Sequence, residues 1–189
     1  ATIMMISVLA IMSQAVVKER ERGTLEQMFT TPISRGEYLV GKVVPYMVLS
    51  GVQALFVATI GTLWFRVPFY GSVWVVLTGL LLFMLTNVGM GLLISLVSRT
   101  RQQAQQMMMF VMLPTMILSG FIFPIESMPD AIKPFTAAIP MTHALVVMRG
   151  AFVKGAGFDA LATPLLALAG FAVAIFGLAV VLMRRRLSE

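Results

Sequence analysis

The chain has few charged residues and no cysteine. Only 12% of its 189 residues are Asp, Glu, Lys or Arg, whereas an ordinary soluble domain has roughly 25%. These are too few polar side chains to cover a surface in water, which excludes a soluble globular domain. The absence of cysteine excludes a disulfide framework and any thiolate metal site. The single histidine, His143, has no second imidazole to share a metal with, so we interpret it as a capping or packing residue.

Recognisable sets of catalytic residues are also missing. The apolar runs contain no paired carboxylates, no serine–histidine–aspartate set and no H-E-x-x-H pattern, which excludes an intramembrane hydrolase. The same lack of membrane carboxylates disfavours a transporter driven by protons or sodium. The net charge of +6 does not indicate a nucleic-acid partner, because Lys and Arg stand in short clusters beside apolar runs. Such clusters usually set the orientation of a protein in the membrane.

Long runs without charge are what the sequence has instead. A charge at the centre of a membrane helix costs about 2.5–3.5 kcal/mol, and one span needs about 20 residues. We therefore predict an all-α, polytopic membrane protein with five transmembrane helices. The predicted spans are about 1–17, 43–65, 73–98, 104–123 and 163–183. The first span is short, and we expect it to be the end of a helix that begins upstream.

The distribution of Lys and Arg predicts the orientation. If the spans alternate, ten of these residues lie on one side, within 18–42, 99–101 and 184–186, and four lie on the other side. The positive-inside rule then places 18–42, 99–101 and the C-terminal tail in the cytoplasm.

The cytoplasmic segment 18–42 contains the signature of a short helix. Thr24 and Gln27 have the spacing of a capping box, so a helix is expected to begin at Leu25. Pro32 is expected to end it near residue 30 or 31. Leu25, Met28 and Phe29 then share one apolar face. From spacing alone, this face either docks onto another protein or folds back onto the membrane.

The stretch 36–43, GEYLVGKV, has the spacing of a phosphate-binding loop but lacks the Ser or Thr that follows the lysine in such a loop. Such a loop follows a buried strand and ends in Lys-Ser or Lys-Thr, because the hydroxyl binds magnesium. Here Val43 has no hydroxyl, and the preceding residues predict a helix and a proline turn. We therefore expect no cofactor bound by this chain. Ser34 and Glu37 predict a second helix from near Arg35, whose Lys42 is expected to reach toward the headgroups.

Several residues within and after the spans have two interpretations. Asn87 is either a contact between helices or part of a substrate path. The stripe of Met108, Met112 and Met116 is either packing or an adaptable binding surface. Gly89 and Gly91, together with Ser95, are expected to allow close helix packing. Prolines interrupt the external segment 121–158, so one continuous helix is not expected there. Within it, Phe121, Phe123 and Pro124 belong to a gate or to a structural plug.

Six stretches, taken in order, resemble the type 2 permease family of ATP-binding cassette (ABC) exporters. They are ERERGTLEQMFTTPIS, EYLVGK, VPFYGS, GLLISLVSRTRQQAQQ, LSGFIFPIESMP and PMTHALVVMRGAFVKG. The resemblance covers nearly all of 1–189 and is closest to bacterial drug-export permeases with six spans and a large external domain between the first two. It implies that 1–189 is the C-terminal part of one such transmembrane domain, from the second span onward. It also implies that the external segment 121–158 forms short re-entrant helices before the last span, which the interrupting prolines suit.

The resemblance also assigns a role to the short cytoplasmic helix. In the family this helix is a coupling helix that sits in a cleft of a separate ATPase subunit, which favours docking over burial in the membrane. It implies the following contact residues: Glu21, Gly23, Thr24, Leu25, Glu26, Gln27, Met28 and Phe29. The resemblance implies that the ATPase subunit holds ATP and magnesium, and that a second permease copy or paralogue completes a dimer in the lipid bilayer.

The function predicted with this resemblance is that of a permease subunit in the bacterial inner membrane. It moves a hydrophobic or amphiphilic substrate outward with energy from ATP hydrolysis by the partner, and is not itself an enzyme. The rival hypothesis is a non-transporting scaffold or assembly protein in the membrane. Such a protein recruits a cytoplasmic partner through 24–30 without nucleotide-driven motion.

Overall fold

Every regular element that the structure describes is helical. The computed structural model describes residues 2–23, 35–64 and 70–186. Its elements are α1 (Thr2–Met12), α2 (Val17–Glu21), α3 (Arg35–Leu63), α4 (Val73–Val97), α5 (Arg101–Leu118), a 3-10 turn (Ile125–Ser127), α6 (Lys133–Ala137), α7 (Pro140–Lys154) and α8 (Phe158–Arg186). The all-α class predicted from the charge-free runs is confirmed.

Four segments of the described residues are long and apolar enough to cross a membrane. They are Thr2–Glu21, Gly36–Leu63, Val73–Val97 and Phe158–Met183. The helix α5 is not among them, because four glutamines and Arg101 occupy its first two turns. The chain is therefore a multi-pass helical membrane protein by length and composition, with four candidate spans where the sequence predicted five.

The long helices form a bundle around α4, which packs most extensively against α8. Val16, Tyr38, Leu96 and Met183 share one buried cluster. We call this end of the bundle, with 13–23, 35–42, 95–101 and 179–186, the basal end. At the opposite end, which we call the distal end, 70–76 lies beside 150–161.

Close packing on α4 depends on its glycines. A Cβ atom added at Gly91 would lie 2.7 Å from Cβ of Met12 on α1. One added at Gly89 would lie 3.2 Å from the backbone nitrogen of Phe176 on α8. Side chains at these positions would push the neighbouring helices away. The predicted role of both glycines in close packing is confirmed.

Two shorter helices, α5 and α7, each pack along a different half of α4. Starting from the basal end, α5 follows α4 as far as Thr115, which lines a small cavity with Asn87. Met141 at the start of α7 lines the same cavity, and farther along α7 Val147 packs against Gly79. Because Asn87 lies near the middle of α4, α5 and α7 meet at about half the height of the bundle.

Some helix ends differ from the predicted spans. The predicted interfacial helix near Arg35 and the second span form one continuous helix, α3. The helix α5 ends at Leu118, not near 123, because Gly120 has a left-handed conformation with φ of +82°. The helix α8 begins at Phe158, ahead of the predicted 163, and carries Asp159 in its first turn, where a carboxylate suits the helix dipole.

Candidate functional site

At the basal end, the short helix α2 is held against the first turns of α3. Glu19 Oε2 accepts a hydrogen bond from the Tyr38 hydroxyl at 2.6 Å and pairs with Lys42 Nζ at 2.8 Å. The same ammonium donates to the backbone carbonyl of Ala15. The side chains of Lys42 and Glu19 are only 13% and 27% exposed. Their attraction is therefore screened less than that of a surface pair, and it fixes α2 relative to α3.

The opposite side of α2 is held against α4 and α5. Glu21 accepts two hydrogen bonds from Arg101, one from its backbone N–H at 2.8 Å and one from its Nε at 2.6 Å. Arg20 donates to the backbone carbonyl of Ser98, at the end of α4, at 3.2 Å. We call Glu19, Glu21, Tyr38, Lys42 and Arg101 the α2 cluster.

A serine of α4 completes the attachment. Between α1 and α2 the helix is broken over 13–16. The N–H groups of Val16 and Val17 both donate to Ser95 Oγ, at 2.9 and 3.1 Å. A break in a membrane-spanning segment frees backbone donors that lipid cannot satisfy. Ser95 supplies the acceptor, so α2 is bound to α3, α4 and α5 at once.

The α2 cluster lies directly before the predicted contact surface for an ATPase. Of the predicted contact residues, the structure describes Glu21, which binds Arg101, and Gly23, which is exposed. Gly23 has φ of +69°, a conformation that favours glycine, and the chain turns there. The other predicted contacts, 24–29, and the short helix expected there lie outside the described residues. Lys42, expected to extend toward headgroups, forms the pair with Glu19.

Asn87 lies in the middle of the bundle and is buried. Its Nδ2 donates to the carbonyl of Phe83 on its own helix at 2.7 Å. With Thr86 and Thr115 it lines a cavity of about 20 Å³. A space of this size holds a single water molecule and no drug-sized substrate. In this conformation Asn87 therefore contributes to packing between α4, α5 and α7, and its part in a substrate path stays a prediction.

The other residues predicted for a path or gate are not among those that line the cavity at Asn87. Met108 and Met112 are half-buried and pack against the main hydrophobic core. Phe121, Phe123 and Pro124 are exposed on the segment that follows α5. The structure thus does not gather these residues around one cavity among the described parts of the chain.

The segment between α5 and α7 is attached through Arg149. Its Nη2 donates to the backbone carbonyl of Gly120 at 3.1 Å, which ties the end of α5 to the middle of α7. His143 Nε2 lies 2.9 Å from the carbonyl of Ala137, and its ring packs 5.8 Å from that of Phe171. The predicted capping or packing role of this histidine agrees with these contacts.

Sequence reasoning missed three of these attachments. It gave Ser95 only a packing role, and it counted Arg101 for orientation alone. It also left Arg149 without a partner. The alternating signs of KERER in 18–22 were the one available signal, since such alternation is typical of ion-paired helices. That pattern does not name the partners, which are far away in the chain.

The chain is similar to proteins of known family. It matches the family described as "ABC-2 family transporter protein" over residues 1–181. It is 36% identical to the probable multidrug ABC transporter permease YbhS of Escherichia coli strain K12, over 99% of this chain and 50% of that protein. It is 34% identical to the probable multidrug ABC transporter permease YbhR of the same strain, over 84% of this chain and 43% of that protein. No solved structure matches the chain.

The chain spans about half the length of these curated relatives, or less. The family match nevertheless covers 181 of its 189 residues, and the described part has the apolar helices of a membrane protein. The resemblance drawn from the six sequence stretches is therefore confirmed. This chain belongs to the ABC-2 family of transporter proteins.

Proposed function

We propose that the chain is the C-terminal part of a permease subunit that exports a hydrophobic or amphiphilic substrate at the expense of ATP. The family and the names of the relatives support a transport role. In this proposal a separate ATPase subunit binds ATP and magnesium, and a second permease copy or paralogue completes the dimer. The permease subunit itself catalyses no reaction.

The observation that carries the proposal is the attachment of α2 to three helices. The predicted coupling helix follows Gly23 directly, so any displacement of 24–30 acts first on α2. The α2 cluster passes that displacement to α3 through Glu19 and Lys42, and to α5 through Glu21 and Arg101. A free linker would absorb such a motion. An element bonded on both sides moves its neighbours with it.

We further propose that the basal end faces the cytoplasm of a bacterial cell, across the inner membrane. The excess of Lys and Arg at that end supports this orientation. In this arrangement α5 is the span predicted at 104–123, shortened to the basal half of the bundle. The segment 121–158 fills the distal half, and Phe121, Phe123 and Pro124 act there as a gate.

The test reverses the charges of one pair in the full-length permease, reconstituted in vesicles with its ATPase subunit. Glu21→Arg and Arg101→Glu each place like charges opposite one another. We expect each to lower substrate export per ATP hydrolysed by about fivefold or more, while insertion into the membrane is unchanged. The double exchange restores an ion pair and is expected to recover about half of the loss.

Arg99→Glu is the matched control, because Arg99 lies beside Arg101 in the sequence and pairs with no described carboxylate. We expect export per ATP to stay normal in this variant. Normal export in both single reversals would refute transmission through α2.

The scaffold hypothesis is tested separately: it predicts that no ATPase subunit copurifies with the full-length protein, whereas we expect one to copurify.

A further inference from the structure

A cleft of about 760 Å³ opens at the basal end between α1–α2 and the start of α3. One part of its lining is cationic and contains Lys18, Arg22 and Lys42. Glu19 is the one carboxylate among the described lining residues. The remaining lining is mostly apolar or aromatic, and it includes Ala10, Ile11, Pro45 and Tyr46. Positive charge and hydrocarbon surface therefore meet in a single cleft.

The length of α3 places the cleft at the level where bilayer headgroups meet hydrocarbon. At its distal end α3 stops at Leu63, next to Trp64, which is 83% exposed and of a type enriched at membrane interfaces. A hydrocarbon core of about 30 Å corresponds to about 20 helical residues. Counted back from Leu63, that length reaches Val43. Lys42 thus stands at the basal boundary, with Pro45 on the hydrocarbon side.

The cations of the cleft have hydrogen-bond donors to offer an anion. The ammonium of Lys42 has three N–H groups, and Glu19 and the carbonyl of Ala15 take two of them. Lys18 and Arg22 are exposed and pair with no described carboxylate. Three cations therefore line one space, which suits the oxygens of a phosphate group.

The cleft also offers acceptors for hydroxyl groups. Pro45 has no N–H, so the carbonyl of Gly41 lacks its usual helical donor four residues on. A Cβ atom added at Gly41 would meet nothing within 4 Å, so the backbone there is open to the cleft. Gln14 and Tyr46, whose side chains carry acceptor oxygens, line the same space. A headgroup that carries hydroxyls beside its phosphate, such as that of phosphatidylglycerol, matches both the cations and the acceptors of the cleft.

We propose that this cleft binds the headgroup of an anionic glycerophospholipid. The phosphate lies among Lys18, Arg22 and Lys42, and one acyl chain lies against Ile11 and Pro45. Basic clefts between membrane helices are suited to such headgroups. The bound lipid contacts α2 and α3 together, so it strengthens the attachment of α2. This proposal stands independently of the transport activity.

The test titrates lipid onto delipidated full-length protein and follows the first bound lipid by native mass spectrometry. Phosphatidylglycerol and phosphatidylcholine with identical acyl chains are compared. Each cation near an anionic headgroup favours it by about fivefold. We expect Lys18→Gln/Arg22→Gln to reduce the preference for phosphatidylglycerol by about 5- to 25-fold. The charge-keeping pair Lys18→Arg/Arg22→Lys is expected to retain it.

The matched control is Arg99→Gln/Lys154→Gln, which removes the same charge at positions that do not line the cleft. We expect its preference to equal that of the wild-type protein. An equal decrease in the control, or no decrease in the cleft variant, would overturn the proposal. Soluble glycerophosphoglycerol at millimolar concentration is expected not to displace the lipid. Displacement would identify a site for free phosphate esters and overturn the assignment to a lipid.

Discussion

Replacing Ser95 by alanine removes one oxygen and leaves two backbone donors without an acceptor. The Ser95 side chain is fully buried, and its Oγ lies 2.9 and 3.1 Å from the nitrogens of Val16 and Val17. An unpaired buried N–H costs about 1–3 kcal/mol, whereas hydrogen bonds between membrane helices average about 0.6 kcal/mol and reach about 1.7 kcal/mol. Because two donors depend on one hydroxyl, we expect Ser95→Ala to lower the free energy of unfolding by about 2 kcal/mol.

Ser98 provides a matched control on the same helix. It is equally buried, and its hydroxyl donates to the carbonyl of Ile94 within its own helix at 2.7 Å. Its contact with another helix is to a weak acceptor, the Sδ of Met107 on α5 at 3.6 Å. The carbonyl of Ile94 also accepts the backbone N–H of Ser98 at 3.0 Å. Ser98→Ala therefore leaves the carbonyl with a partner, and we expect it to lower the free energy of unfolding by less than about 0.5 kcal/mol.

Both variants are compared in the full-length protein by titration with sodium dodecyl sulfate in mixed micelles, with helical circular dichroism as the signal. Hydrogen exchange of peptides that cover 12–20 reports the break directly. We expect exchange there to become faster in Ser95→Ala and to stay unchanged in Ser98→Ala. If the two variants have equal unfolding midpoints and equal hydrogen exchange over 12–20, the conclusion that Ser95 stabilises the broken segment 13–16 is refuted.

Two further predictions concern packing and the distal segment. Gly91→Ala places a carbon 2.7 Å from Cβ of Met12, so we expect the free energy of unfolding in the same titration to fall by about 1–3 kcal/mol. The control is Gly170→Ala, whose added carbon meets nothing within 4 Å, and we expect it not to lower the free energy of unfolding. Equal decreases in the two variants would contradict close packing of α1 on α4. Arg149→Gln removes the bond to the carbonyl at residue 120, and we expect maleimide labelling of Ile125→Cys to become severalfold faster in this background. An unchanged labelling rate would contradict the attachment.

The distribution of charge carries most of the information about where the helices lie. The helix α4, Val73–Val97, coincides with a charge-free run to within one residue, because charge in hydrocarbon is the dominant cost. Where a helix extends beyond the hydrocarbon, charged residues are no longer excluded and do not mark its end. The start of α3 at Arg35 lies well before the predicted span at 43–65, and its local signal was the Ser-x-x-Glu capping pattern. The end of α5 depends on the backbone conformation of Gly120.

The attachments of α2 could not be predicted, for a geometric reason. Glu21 and Arg101 are 80 residues apart, and their meeting depends on how α4 and α5 are rotated about their axes. Rotation of a helix by one residue, about 100°, would separate them. Nothing local distinguishes Ser95 from the other serines of the apolar runs. Its importance comes from the break at 13–16, which faces it in the folded chain.

The division of α4 between α5 and α7 has a mechanical consequence. Two rods placed end to end form a joint that one continuous rod lacks, and here the joint lies beside the gap of about 20 Å³ at Asn87. A tilt of α5 pivots at that point and breaks no backbone hydrogen bond within α7. The joint at mid-height therefore lets α5 and α7 change their angle to one another, while α4 and α8 run past it as continuous helices.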